Sequence, residues 1–231
     1  MARIDGRAAD QLRPVEIIPN FNKFAEGSCL IRCGNTQVLC CASVEERTPP
    51  HVPEGEGWVT AEYSMLPRAN RERSKRDVSK LKLSPRSAEI QRLVGRSLRA
   101  CVDMKKLGER TVTIDCDVLQ GDGGTRTASV TGGYVALALK KVGVADALVD
   151  QVAAVSAGIV DDQLLLDLCY EEDSSAQVDL NCIMTGDGKL VEIQGTGEGR
   201  AFTVEEQGAL VDLCAKGIAQ LQTIQKNVLE G

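Results

Sequence analysis

The stretch Arg110-Thr111-Val112-Thr113-Ile114-Asp115-Cys116-Asp117-Val118-Leu119-Gln120-Gly121-Asp122-Gly123-Gly124-Thr125-Arg126-Thr127-Ala128 decides how the chain is organised. Val112, Ile114, Cys116 and Val118 alternate with polar residues, the period-two pattern of a strand with one buried face. The glycines then break the pattern, and a long Ala/Leu/Val-rich run follows to near Val142-Gly143. Strand, glycine-rich turn and helix therefore succeed one another. At such a helix start the backbone amides lack intrahelical acceptors and the helix dipole is positive, so the turn, with Thr125 and Arg126 beside it, is a candidate oxyanion cradle. Glycine-rich helix starts are also common without a ligand. The turn carries neither Gly-Lys-Ser/Thr nor Gly-x-Gly-x-x-Gly, so it is neither a P-loop nor a dinucleotide fingerprint.

Upstream of this stretch, Ser84 reads as a helix N-cap with Pro85 in the first helical position. Ile90, Leu93, Val94, Leu98 and Cys101 recur at helical spacing, leaving Arg92, Arg96 and Arg99 along another face. Arg86 falls in the first turn, where a cation opposes the dipole. A bound anion would remove that penalty, while a side chain pointing into water would simply tolerate it. Residues 29–44 read as two apolar strands joined by Gly34-Asn35, and residues 46–60, rich in Pro and Gly, as a loop. The basic segment up to Leu83 has no clean apolar period and is expected to be mobile without a partner.

Downstream, strands are expected at residues 153–160, 163–168, 178–184 and 189–193, with a closing amphipathic helix from Thr203. Val178, Leu180 and Cys182 face one way, and Asp179 and Asn181 the other. Asp173 lies in the turn shortly before them. Two carboxylates near an anion site suit Mg²⁺ binding or general-acid work on a leaving oxygen, although aspartates in turns and on exposed strand faces are ordinary. No internal repeat or linker divides the chain, so residues 1–231 are read as one domain.

Composition narrows the function classes. Of 231 residues 43% are hydrophobic, ample for a core. No apolar run approaches the roughly 18 residues of a membrane span, and the charged start is unlike a secretory signal, which implies a cytoplasmic protein away from membranes. Nine cysteines, an odd number without a Cys-x-x-Cys pair, read as reduced core residues. His51 is the only histidine, which argues against Ser-His-Asp or Cys-His catalysis and a zinc centre. The net charge is −6, yet residues 68–99 hold eleven basic and three acidic side chains, a local +8 on a body of −14. A basic focus on an acidic body suits one polyanion bound at one place, although charge runs are usually solvated faces. Seven aromatic residues argue against base recognition by a stacking platform and for sequence-tolerant backbone binding.

Five blocks carry a resemblance: Arg3-Ile-Asp-Gly-Arg-Ala-Ala-Asp-Gln-Leu-Arg-Pro14, Gly57-Trp-Val-Thr-Ala-Glu-Tyr-Ser-Met-Leu-Pro67, Glu89-Ile-Gln-Arg-Leu-Val-Gly-Arg-Ser-Leu-Arg-Ala100, Gly123-Gly-Thr-Arg-Thr-Ala128 and Glu172-Asp-Ser-Ser-Ala-Gln-Val-Asp-Leu-Asn181. Through these, in this order, the chain resembles the bacterial RNase PH family along almost its whole length. The resemblance implies an α/β fold, an α+β two-layer single domain of the ribosomal-protein-S5-domain-2-like type. It implies a phosphate-dependent 3′-to-5′ exoribonuclease that trims precursor tRNA, releases nucleoside diphosphates and runs in reverse as a nucleotidyltransferase. Inorganic phosphate, the co-substrate, would be held by Arg86, Gly124, Thr125 and Arg126. Asp173 and Asp179 would be the catalytic carboxylates and would hold Mg²⁺. Arg68, Arg73 and Arg76, with the helical Arg92, Arg96 and Arg99, would support RNA binding, and the first three also assembly of a homohexameric ring built as a trimer of dimers. One departure stands out: the family usually has glycine before Arg86, and here it is Pro85. Two other readings are a catalytically inactive RNA-binding ring subunit of an exosome-like assembly, and a nucleotide-binding or transferase domain using the glycine turn alone.

Overall fold

The computed structural model describes residues 3–76, 79 and 82–231. Asp77 and Lys80 of the basic segment lie outside the described residues. Strands β1 (Val15–Pro19), β2 (Gly27–Cys33), β3 (Thr36–Glu45), β4 (Trp58–Met65) and β5 (Thr111–Gln120) form a five-stranded sheet in the order β1-β2-β3-β5-β4. The turn Gly34-Asn35 joins β2 to β3 as its sequence implies, with Gly34 at a positive φ of 56°. Only β4 and β5 run parallel in this sheet. A parallel pair needs a crossover, and helix α1 (Pro85–Arg99) supplies it.

Two parts of this sheet depart from the sequence reading. Trp58, Val59 and Thr60, assigned there to a loop, pair with Thr111, Val112 and Thr113 as the start of β4. The density of Pro and Gly before them hides an alternation of Val59, Ala61 and Tyr63, all buried. Strand β1 is a five-residue edge strand ending in proline, too short to show a period.

Helix α1 begins as expected: Ser84 accepts a hydrogen bond from the Ser87 amide at 3.0 Å and Pro85 occupies the first turn. A single turn, α2 (Met104–Leu107), leads into β5, and α3 (Thr125–Ala138) follows the glycine turn. Helix α3 is buried nearly all round, from Thr127 through Leu137, and packs on β2 and β3 on one side and on β6 (Val152–Val160) on the other. It is therefore shared between two layers, and each of its fully buried residues Val130, Val135 and Leu137 stabilises the fold by about 1.5–3 kcal/mol. It stops at Ala138 because Leu139 turns extended; a 3₁₀ turn, Lys140–Val142, completes the apolar run.

The second sheet is antiparallel, in the order β7-β6-β8-β9, with β7 (Gln163–Leu166), β8 (Val178–Thr185) and β9 (Leu190–Thr196). Strand β7 ends before residue 168 because Asp167 takes a positive φ of 54°. A one-turn helix, α4 (Tyr170–Asp173), precedes β8. The closing helix α5 (Val204–Glu230) carries the capping box Thr203–Glu206 and packs on β6. Buried Gln225 on α5 donates to the carbonyls of Thr131 at 2.9 Å and Val152 at 3.0 Å, tying α5 to α3. All nine cysteines are free thiols, and eight are buried.

Candidate active site

Where α3 begins, helices α1 and α3 and the second sheet line a pocket of about 360 Å³. Helix α1 contributes Arg86; the glycine turn and α3 contribute Gly124, Thr125 and Arg126. Helix α4 adds Asp173, β8 adds Asp179 and Asn181, and the segment after β9 adds Glu198. The structure thus brings together all six phosphate-binding and catalytic residues expected from the sequence. Pro85 leaves Arg86 at the pocket.

The turn needs its glycines. Gly123 has φ 75° and Gly124 φ 65°, the left-handed region that other residues avoid. A Cβ on Gly123 would also lie 2.5 Å from the Leu168 carbonyl oxygen, so the turn rests directly on the chain entering α4. Thr125 is fixed from below by a 2.9 Å hydrogen bond between its Oγ1 and the hydroxyl of Tyr63, a fully buried β4 residue whose phenol is pushed up by burial. Arg126 is held from both sides: its Nη1 donates to Gln194 Oε1 on β9 and to Glu89 Oε1 on α1 at 3.3 Å, while Gln194 Nε2 donates to the same Glu89 oxygen at 2.7 Å.

The carboxylates facing this basic edge titrate abnormally. Burial raises Asp173 against the pull of Arg86 and Arg126. Burial, reinforced by the like charge of Asp173, pushes Asp179 up to about 6, although Arg126 and a 3.1 Å hydrogen bond from Asn181 Nδ2 oppose the rise. A carboxyl that keeps its proton towards neutral pH can serve as a general acid.

A buried charge lattice supports the pocket from behind, and the sequence reading does not anticipate it. Arg3 grips Glu172 of α4 with both ends of its guanidinium, at 2.8 and 2.7 Å. Arg13 grips Asp167 at 3.1 and 2.6 Å and donates to the Asp122 carbonyl in the glycine turn at 2.5 Å. Arg7 adds contacts at 3.8 Å to Asp167 and 3.6 Å to Glu172. In the sequence Arg3, Arg7, Arg13 and Glu172 stand within two of the blocks that carry the resemblance, but nothing there shows that they pair.

The remaining basic candidates lie elsewhere. Arg68, Arg73 and Arg76 are exposed between β4 and α1. Arg92, Arg96 and Arg99 line a separate hollow with Trp58. Within it, Arg96 pairs with Glu192 at 3.2 Å, and Arg99 stacks 4.3 Å from the Trp58 ring centre and donates to the Val59 carbonyl at 2.8 Å.

Two sheets thus share one central helix, and at its start the candidate anion-binding residues face Asp173 and Asp179 within a single pocket. Family models described as "3′ exoribonuclease family" match the chain, domain 1 at residues 11–142 and domain 2 at residues 150–212. The chain belongs to the RNase PH family of 3′ exoribonucleases. It is 55% identical to "Ribonuclease PH" of Moorella thermoacetica, covering 99% of this chain and 95% of that protein. The crystal structure of rice (Oryza sativa) Rrp46 has the same fold, with a TM-score of 0.85 at 16% identity over 99% of this chain and 100% of that one. An Archaeoglobus fulgidus exosome "with RNA bound to the active site" matches with a TM-score of 0.78 and 26% identity, over 96% and 91% of the two chains.

Proposed function

We propose that the chain shortens RNA from its 3′ end by phosphorolysis. Orthophosphate, held by Arg86, Thr125, Arg126 and the amides at Gly124, attacks the last phosphodiester. A new P–O bond forms to the incoming phosphate as the bond to the upstream 3′ oxygen breaks, and Asp179 protonates that oxygen directly or through one water. The products are a nucleoside diphosphate and an RNA one nucleotide shorter; run backwards, the step adds nucleotides from diphosphates. Phosphoryl transfer leaves little covalent work to a protein, so catalysis lies in holding two mutually repelling anions in line and stabilising the spreading charge. One observation carries the reading: Arg86, Thr125 and Arg126 share a pocket with a carboxyl raised to about 6.

Among the described residues no three His, Cys, Asp or Glu side chains converge as a metal cage. Mg²⁺ commonly takes one or two carboxylates and completes its shell with water and substrate phosphate, so Asp173 and Asp179 fit it in number and kind. Their mutual repulsion, which a cation relieves, supports the same assignment. When bound, the ion supplies charge neutralisation on the phosphoryl oxygens.

That the part matching family domain 1 (11–142) supplies Arg86 and Arg126 and the part matching domain 2 (150–212) supplies Asp173 and Asp179 to one pocket supports reading the two as a single functional unit. No helix among the described residues is long and apolar enough to cross a membrane. We further propose a cytoplasmic protein acting on precursor tRNA as a six-membered ring. The exposed Arg68, Arg73 and Arg76 of each subunit would there add to the positive potential at the RNA entrance.

The test is to incubate the protein with RNA bearing a 3′ extension, with and without phosphate and Mg²⁺. Nucleoside diphosphates appearing only with phosphate are expected. Monophosphates would mean hydrolysis, and intact RNA would favour an inactive ring subunit. The pH profile offers a second check. A general acid must be protonated, so the rate at saturating phosphate is expected to fall as pH rises through the Asp179 value, about 6 in the free protein. Asp179→Asn is expected to lose that alkaline limb and to slow turnover by about 10²–10⁴-fold; an unchanged limb would remove Asp179 from the acid's role.

A further inference from the structure

A second hollow of about 580 Å³ adjoins the phosphate pocket, sharing Arg86, Gly124, Thr125 and Asp173 with it and lined also by Arg71 and Tyr170. Tyr170 is 49% exposed, in a chain with only three tyrosines. The other two, Tyr63 and Tyr134, are buried. The half-exposed ring of Tyr170 therefore contributes little packing where it stands. Its backbone is nevertheless tied to the cradle: the Tyr170 amide donates to Asp122 Oδ1 at 3.3 Å, and the Gly123 Cα lies so close that an added Cβ would meet Tyr170 N at 3.0 Å. Arg71 places its guanidinium 5.6 Å from the Tyr170 ring centre and is steadied there by Glu171 at 2.8 Å. A flat aromatic ring with a flat cation over it, lining the same hollow as the anion cradle, matches the parts of a nucleotide, base and phosphate.

We propose that this hollow is a nucleobase subsite, in which Tyr170, flanked by Arg71, stacks on a base at the RNA 3′ end while the adjoining phosphate lies at the cradle. Every base presents a π-face, so the contact anchors the RNA end without selecting sequence, in keeping with an enzyme that removes each nucleotide in turn. Tyr170 thereby adds binding at the reacting end that the remote basic residues do not provide. The proposal rests on the phosphorolytic reading for the identity of the phosphate, and on the geometry of Tyr170 for the base.

The test uses the full chain and short RNAs carrying 2-aminopurine at either the last or the penultimate position, with phosphate omitted so that nothing turns over. One of the two labels is expected to be quenched on binding, which identifies the stacked base. Tyr170→Ala is expected to abolish that quenching and raise the KM for RNA about tenfold without raising the KM for phosphate, whereas Tyr170→Phe, which keeps the ring, should restore both readouts. Equal quenching and equal RNA KM in the wild type and Tyr170→Ala would overturn the proposal. Should the wild type release no nucleoside diphosphate while the Tyr170-dependent quenching persists, the phosphorolytic reading fails and the base subsite stands.

Discussion

Arg126→Ala is expected to lower kcat/KM for phosphorolysis by about 10²–10³-fold, the usual effect of deleting one preorganised donor from a site where negative charge builds up. The fold should survive. Arg126 leans on Glu89, whose side chain is 48% exposed, and an ion pair so open to water contributes at most about 1 kcal/mol. The melting temperature should therefore stay close to that of the wild type while turnover collapses. Arg126→Lys should also be impaired, because Gln194 and Glu89 orient a planar fork that an ammonium cannot reproduce. Steady-state kinetics against varied phosphate decide the matter, and undiminished activity in Arg126→Ala would refute the cradle.

Arg13→Ala is expected to act on stability first. The change strips two side-chain hydrogen bonds from Asp167, whose side chain is 7% exposed, and leaves its carboxylate buried. Breaking a buried pair from one side costs about 3–5 kcal/mol, a large share of the roughly 5–15 kcal/mol that holds a domain together. Arg7, 3.8 Å from the same carboxylate, still offers a charge, so the lower end of that range is expected. Urea unfolding followed by circular dichroism measures the loss. A midpoint equal to that of the wild type would mean that the lattice behind the pocket contributes nothing to holding it.

Much of the pocket is legible in the sequence because its parts are local. A glycine turn opening a helix, Ser84 and Pro85 starting another, and a carboxylate on the polar side of a strand each announce themselves within a few residues. Strands β1 and β4 escape notice for equally local reasons: the first is too short to show a period, and the second starts inside a Pro/Gly-rich run. The charge lattice is hidden by distance along the chain. Arg3 and Glu172 stand 169 residues apart, and a sequence gives no sign that two charges so separated will share one buried site. Arg99 shows the opposite failure: helical spacing puts it on a charged face, yet it folds over Trp58 and spends a donor on the Val59 carbonyl.

Helix α3 is both the partition between the two sheets and the post on which the cradle is mounted. Under the proposed mechanism, any slippage of one layer past the other would carry the attacking oxygen away from the proton donor, since Arg126 rides on that post and Asp179 on the neighbouring sheet. Alignment of the reactants is thus a by-product of folding: the chain sets its catalytic gauge when the two layers close on a common axle, before any RNA arrives.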